Sequence, residues 1–190
     1  MAGPSLALYT FGLFAAPAEA PANDEFHARG IDVLKEIEQA AGFIARSGYN
    51  DDISPASWGE QVFPHFYEET GDGWAPSTLS LWKDLAAPVA YTYHGPLHAA
   101  ALRKGRDWFR KGDWPPYVAW WRTERAPPTW AEGVRRYEAF AQNGPSPSGF
   151  MFNAPFDPAG GRTKVAPADV RAYAAQNAHI VTTPTQQENT

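Results

Sequence analysis

An apolar run at residues 6–14, three further short strand candidates, and amphipathic helical periodicities between them predict an α+β domain. Their order is β-α-β-β-α-β, the split βαβ or ferredoxin-like arrangement, followed here by an extra C-terminal helix. No repeat of fixed period argues for a solenoid instead.

Each element has its own signal. The opening run, LALYTFGLF, shows no polar face, which suits a strand covered on both sides. After a Pro/Ala spacer, Asn23 stands as an N-cap, with Asp24 and Glu25 in the first turn, where the helix dipole favours acids. Phe26, Val33, Ile37 and Ala41 then recur at helical spacing, and Gly42 occupies the place of a C-terminal cap. FIAR at 43–46 is a short strand, residues 47–76 are long and irregular, and TLSLW at 78–82 is the next strand. Asp84 caps a helix through Tyr93. Gly95-Pro96 interrupts it, since proline is tolerated only in a first turn. In the piece that follows, Leu97, His98, Ala101, Leu102, Trp108 and Phe109 share one stripe, with Arg103, Arg106 and Arg110 opposite. YVAWWR at 117–122 closes the strand set. Thr129 and Glu132 form a capping box for a helix that carries Trp130, Val134, Tyr137 and Ala141 and stops at Asn143-Gly144-Pro145. Residues 1–152 read as the single domain and 153–190 as a Pro/Gly/Ala-rich extension, with a helix at 169–177 and TTPTQQENT as a disordered tail.

Composition narrows the function. With 16 Lys+Arg against 21 Asp+Glu the net charge is −5, which argues against nucleic acid or an anionic membrane as partner. There is no cysteine, so disulfides, thiolate catalysis and thiolate metal sites are excluded. No apolar run spans a bilayer, and Met-Ala-Gly-Pro-Ser lacks the basic start of a signal peptide, so a soluble, cytoplasmic protein is expected. Phosphate-cradling glycine loops, dinucleotide fingerprints and nucleophile elbows are missing from the sequence. Eight Trp, eight Tyr and eleven Phe supply large buried area, and such rings also line pockets for flat apolar ligands.

The candidate catalytic residue is His98. The apolar stripe places it against the sheet, where desolvation lowers an imidazole's pKa and a neutral ring can serve as acid or base. The plainer reading is a core histidine satisfied by a backbone carbonyl. His94 lies four residues earlier, but Gly95-Pro96 intervenes and no carboxylate completes a ligand set, so no metal site is assigned. Alternation puts Thr78, Ser80 and Trp82 on one side of their strand, and Tyr117, Ala119 and Trp121 on one side of theirs. Trp82, Tyr117 and Trp121, joined by Tyr9 from the first strand, form the wall of a substrate pocket. His94 and His65 are further lining residues, with Glu68 and Glu69 beside His65 reaching over the mouth. The arginine stripe is a solvated face or a dock for an anion or carrier protein.

The ordered series LALYTFGLF, TLSLWKDL, HGPLHAAALRKGRDWF, PPYVAWWR, PPTWAEGVRRYEAF and GPSPSGFMF, from Leu6 to Phe152, resembles the domain-of-unknown-function family 3291. That family is similar to the dimeric α+β barrel proteins, a group holding antibiotic-biosynthesis monooxygenases, certain polyketide cyclases and several haem proteins. The resemblance implies a ferredoxin-like protomer whose sheet meets a second protomer's to close a barrel, hence a homodimer. It implies no particular reaction. The stretch 47–76 departs from the pattern, being longer and more aromatic, and reads as a lid or as a surface elaboration. The expected function is a small-molecule enzyme acting on a flat, apolar, oxygenated intermediate, polyketide-like or aromatic. It would work without a nucleotide cofactor, by oxygenation or by acid/base cyclisation or isomerisation, with His98 as acid/base. The alternatives are a haem protein with His98 as axial ligand, as in the related haem-binding barrels, and a non-enzymatic ligand-binding protein.

Overall fold

Strand β1, Ser5–Phe11, pairs along both edges and is covered on both faces, and the cover is what a strand without a polar face requires. In this computed structural model, which describes residues 3–50, 52–68 and 75–180, the chain then runs through α1 (Asp24–Gln39), β2 (Phe43–Arg46) and β3 (Ser77–Trp82). It continues through α2 (Ala86–His94), α3 (Pro96–Trp108), β4 (Tyr117–Arg122), α4 (Trp130–Asn143) and α5 (Pro167–Asn177). The sheet order is β2-β3-β1-β4 and every neighbouring pair is antiparallel. The tail TTPTQQENT lies outside the described residues.

Register decides which residues share a face. Leu6 pairs with Trp82 and Trp121, Leu8 with Ser80 and Ala119, and Thr10 with Thr78 and Tyr117. Strand alternation turns Ala7, Tyr9 and Phe11 the other way, with Leu79, Val118 and Trp120. The first face packs under Ile37 of α1, Ala87 and Tyr91 of α2, and Phe150 and Phe156 beyond α4. The second packs under Trp130, Val134 and Tyr137 of α4, and under Tyr49, Trp58, Val62, Phe63, Phe66 and Tyr67. The aromatic residues of the described part of the 47–76 stretch are therefore half-buried against the core, while Ile53 is fully exposed. Its Tyr49 hydroxyl donates to the Ser77 carbonyl at 2.9 Å, and the Tyr49 ring stacks on Trp130 at 6.0 Å.

Several local expectations change. β1 ends at Phe11, and Phe14 instead bridges to Phe109 after α3. Asn23 does not cap α1, because its Nδ2 donates to the Pro17 and Ala18 carbonyls. Gly42 comes after the cap residue Ala40; its φ of +81° and a would-be Cβ 2.5 Å from Ala87 Cβ explain the glycine. Thr129 Oγ1 accepts the Glu132 N–H as a capping box requires, but the Glu132 carboxylate turns to Trp120, Arg122 and Arg136. Residues 153–180 are integral to the same body. Phe156 is buried in the first face's core, and α5 docks on α2.

Candidate functional site

The residues singled out in the sequence fall on three separate parts of the molecule. Trp82, Tyr117 and Trp121 do share the first sheet face. Trp82, however, is fully buried beneath Tyr91 at 5.6 Å, with its Nε1 donating to Ser80 Oγ at 2.9 Å. Trp121 Nε1 donates to the Phe156 carbonyl at 2.7 Å, which ties it into the core. Tyr117 and Trp121 are both half-buried, and of the three residues Tyr117 is the one that lines an open cleft.

His98 faces α2 instead of the sheet. The α1 and α2 helices occupy the sheet face, and α3 lies outside them, with Trp108 its one buried residue. The His98 ring sits 4.8 Å from Tyr91, and its Nδ1 lies 3.2 Å from the Thr92 carbonyl oxygen. A carbonyl only accepts, so Nδ1 carries the proton and Nε2 keeps its lone pair. Burial holds the pKa below the ordinary 6.5, opposed in part by the Thr92 contact, so the ring is neutral at pH 7. Beside it, the fully buried Glu36 of α1 caps α3 from another helix. Its Oε1 accepts the Leu97 N–H at 3.0 Å and its Oε2 the His98 N–H at 2.9 Å. Burial pushes the Tyr91 phenol well above its usual range, and its hydroxyl donates to the Val33 carbonyl at 3.1 Å. His94 stands exposed in the last turn of α2.

On the other flank of α2 an open cleft of about 380 Å³ is lined by Val89 and Tyr93 of α2, Tyr117 of β4, and Met151, Phe152 and Asn153 beyond α4. Val89 and Tyr93 are one helical turn apart, while Tyr91 is roughly 200° round the helix from each. His98 and the cleft are thus separated by the body of α2. Tyr117 is anchored in the wall: its oxygen accepts the Phe152 N–H at 3.2 Å, and its ring leans on Phe152 at 4.9 Å. Burial pushes its phenol up to about 12. The cleft carries no histidine, so His98, the axial ligand expected for a haem, lies on another flank of α2. Of the cleft residues, sequence reasoning found only Tyr117. The Val89/Tyr93 spacing on α2 was available as a signal, whereas nothing local marks Met151–Asn153.

Tyr9 and His65 belong to the second sheet face. Odd-numbered in a strand whose even residues face α1 and α2, Tyr9 points under α4, so it does not join Tyr117. Its ring meets Tyr137 at 5.5 Å and Trp130 at 6.3 Å edge-on, and its buried hydroxyl has no hydrogen-bond partner among the described residues. Desolvation pushes that phenol's pKa far up. His65 is exposed, with its backbone N–H and Nδ1 both at Glu138 Oε1, 2.7 and 2.8 Å away. Glu68 accepts from Arg110, and all three arginines of the stripe, Arg103, Arg106 and Arg110, are exposed; Glu69 lies outside the described residues. Among the described residues no group of three or more His, Asp or Glu is placed to hold a metal ion, and no helix is long and apolar enough to cross a membrane.

Residues 5–166 match the family described as Domain of unknown function (DUF3291), and the chain belongs to it. No curated protein and no solved structure matches the chain.

Proposed function

We propose that the chain takes up a flat, apolar, oxygenated small molecule, aromatic or polyketide-like, in the cleft beside Tyr117. There it would transform the molecule without a nucleotide cofactor, by oxygenation or by acid/base cyclisation or isomerisation. The observation that carries this reading is the cleft wall: aromatic and aliphatic side chains surround a few neutral polar groups, the composition of a site for such ligands. At that wall the phenols of Tyr117 and Tyr93 are the groups able to hold or pass a proton. His98 supports a second reading, in which the chemistry sits on its own flank of α2. The Thr92 bond leaves Nε2 with its lone pair, and burial keeps the ring neutral.

The two readings separate by experiment. Chemical-shift mapping with 2-acetylnaphthalene should perturb Val89, Met151 and Asn153, and Val89→Trp, which fills the cleft, should abolish the effect. His98→Gln should leave it intact. Perturbations centred on Thr92 and His98 instead would favour the second reading.

The sheet order β2-β3-β1-β4, with α1 joining β1 to β2 and the α2–α3 pair joining β3 to β4, supports reading the core as ferredoxin-like. A homodimer of this chain would join through a surface other than the sheet, because α4 with Tyr49, Trp58, Phe63 and Phe66 packs on the face a barrel partner would need.

A further inference from the structure

We infer that the cleft selects uncharged ligands that offer a hydrogen-bond-accepting oxygen, such as a ketone carbonyl, to the Tyr117 hydroxyl. This rests on reading the cleft as the ligand site. A phenol can donate one hydrogen bond and accept others. Tyr117 already uses an acceptor position for the Phe152 N–H at 3.2 Å, and its own proton has no acceptor among the described residues. That bond fixes the oxygen, and the Phe152 ring at 4.9 Å restricts rotation of the phenol, so the free donor is held in one place. With its pKa pushed up to about 12, the hydroxyl keeps its proton throughout the neutral range. Nearby, Asn153 and the half-exposed Tyr93 add polar groups that are also neutral.

The lining carries no Asp, Glu, Lys, Arg or His. An anion entering would lose hydration and gain no counter-charge, a loss that hydrogen bonds from neutral donors do not restore. Arg103 and Arg106 of the arginine stripe stand on α3 and line no part of the cleft. Carboxylates are therefore rejected where ketones of the same shape are accepted.

Three ligands of one shape test this: 2-acetylnaphthalene, 2-isopropylnaphthalene and 2-naphthoate, each titrated into the wild type and Tyr117→Phe, with affinity and binding position read from amide shifts at Val89, Met151 and Asn153. Loss of one neutral hydrogen bond should weaken the ketone roughly 3- to 10-fold in the variant. The hydrocarbon should bind both proteins equally, and naphthoate should bind the wild type most weakly. If ketone and hydrocarbon respond alike to Tyr117→Phe, or if naphthoate binds as tightly as the ketone, the inference is overturned while the cleft stands as the site. If none of the three perturbs the cleft residues, both the inference and the cleft reading fall. An amide spectrum of the free variant that changes only around residue 117 and Phe152, where the 3.2 Å bond is lost, verifies that it folds.

Discussion

The hydroxyl of Tyr9 is buried and makes no hydrogen bond among the described residues. Such a group has left water without compensation, at a cost of about 1–3 kcal/mol. Tyr9→Phe should therefore raise stability by about 1 kcal/mol in a denaturant titration; a loss instead would reveal a bound water or guest at that oxygen. His98 gives a signed pH dependence. Its folded-state pKa is depressed by burial, so below the ordinary 6.5 the unfolded chain binds a proton that the native one resists. Stability should fall as pH drops from 6.5 to the folded value and then level off. His98→Gln, with no titrating ring, should show a shallower decline between pH 7 and 5. At this scale the sequence was legible in kind and not in direction. It marked His98 as buried and carbonyl-bonded or catalytic, but only the packing of α3 outside α1 and α2 shows that the ring meets Tyr91 and not a strand.

Helix α3 depends on a distant cap. It opens with Gly95 and Pro96, neither of which offers a side-chain acceptor, and only Trp108 is buried along it. Glu36 supplies two acceptor oxygens from α1. Glu36→Ala should cost about 2–3 kcal/mol, since it orphans two N–H groups in a buried place. Glu36→Gln, which keeps one acceptor oxygen, should cost about half as much. Hydrogen exchange at Leu97 and His98 should accelerate more than exchange in β1, because the damage is local to the start of α3. The proline at the first helical position was a readable start signal, and Asp84 at the start of α2 was a readable cap that the Ala86 and Ala87 N–H groups do use. Glu36 was not readable, because its partners lie some 60 positions away and nothing near it anticipates them. The docking of α5 is hidden for the same reason. Tyr173 donates to Asp84 Oδ2 at 2.7 Å, and Asn177 Oδ1 accepts the Ala41 N–H at 2.8 Å, both long-range pairings.

Over the whole molecule, the sheet has a core on each side, and that limits how two copies can meet. The unbroken apolar run of β1 and the alternation in β3 and β4 were legible, but which segments would cover each face was not. The resemblance assigned one face to a second protomer, whereas Trp130, Val134 and Tyr137 of α4, together with the aromatic stretch before β3, fill it from within. Phe66 is a sensitive position in that cover, meeting Trp114 at 5.1 Å, Phe11 at 5.7 Å and Tyr137 at 5.8 Å. If the stretch is intrinsic core, Phe66→Ala should cost about 2–3 kcal/mol, somewhat below a fully buried phenylalanine because Phe66 is only partly covered. That cost should be the same at every protein concentration. If instead a partner's sheet displaces the stretch, Phe66 would be dispensable and the wild-type melting temperature would climb with concentration, as mass action requires of a dimer coupled to folding. Thermal melts of the wild type and Phe66→Ala across about a hundredfold range of concentration distinguish the two arrangements. A flat wild-type series with a constant offset for the variant is the result the self-covered sheet demands.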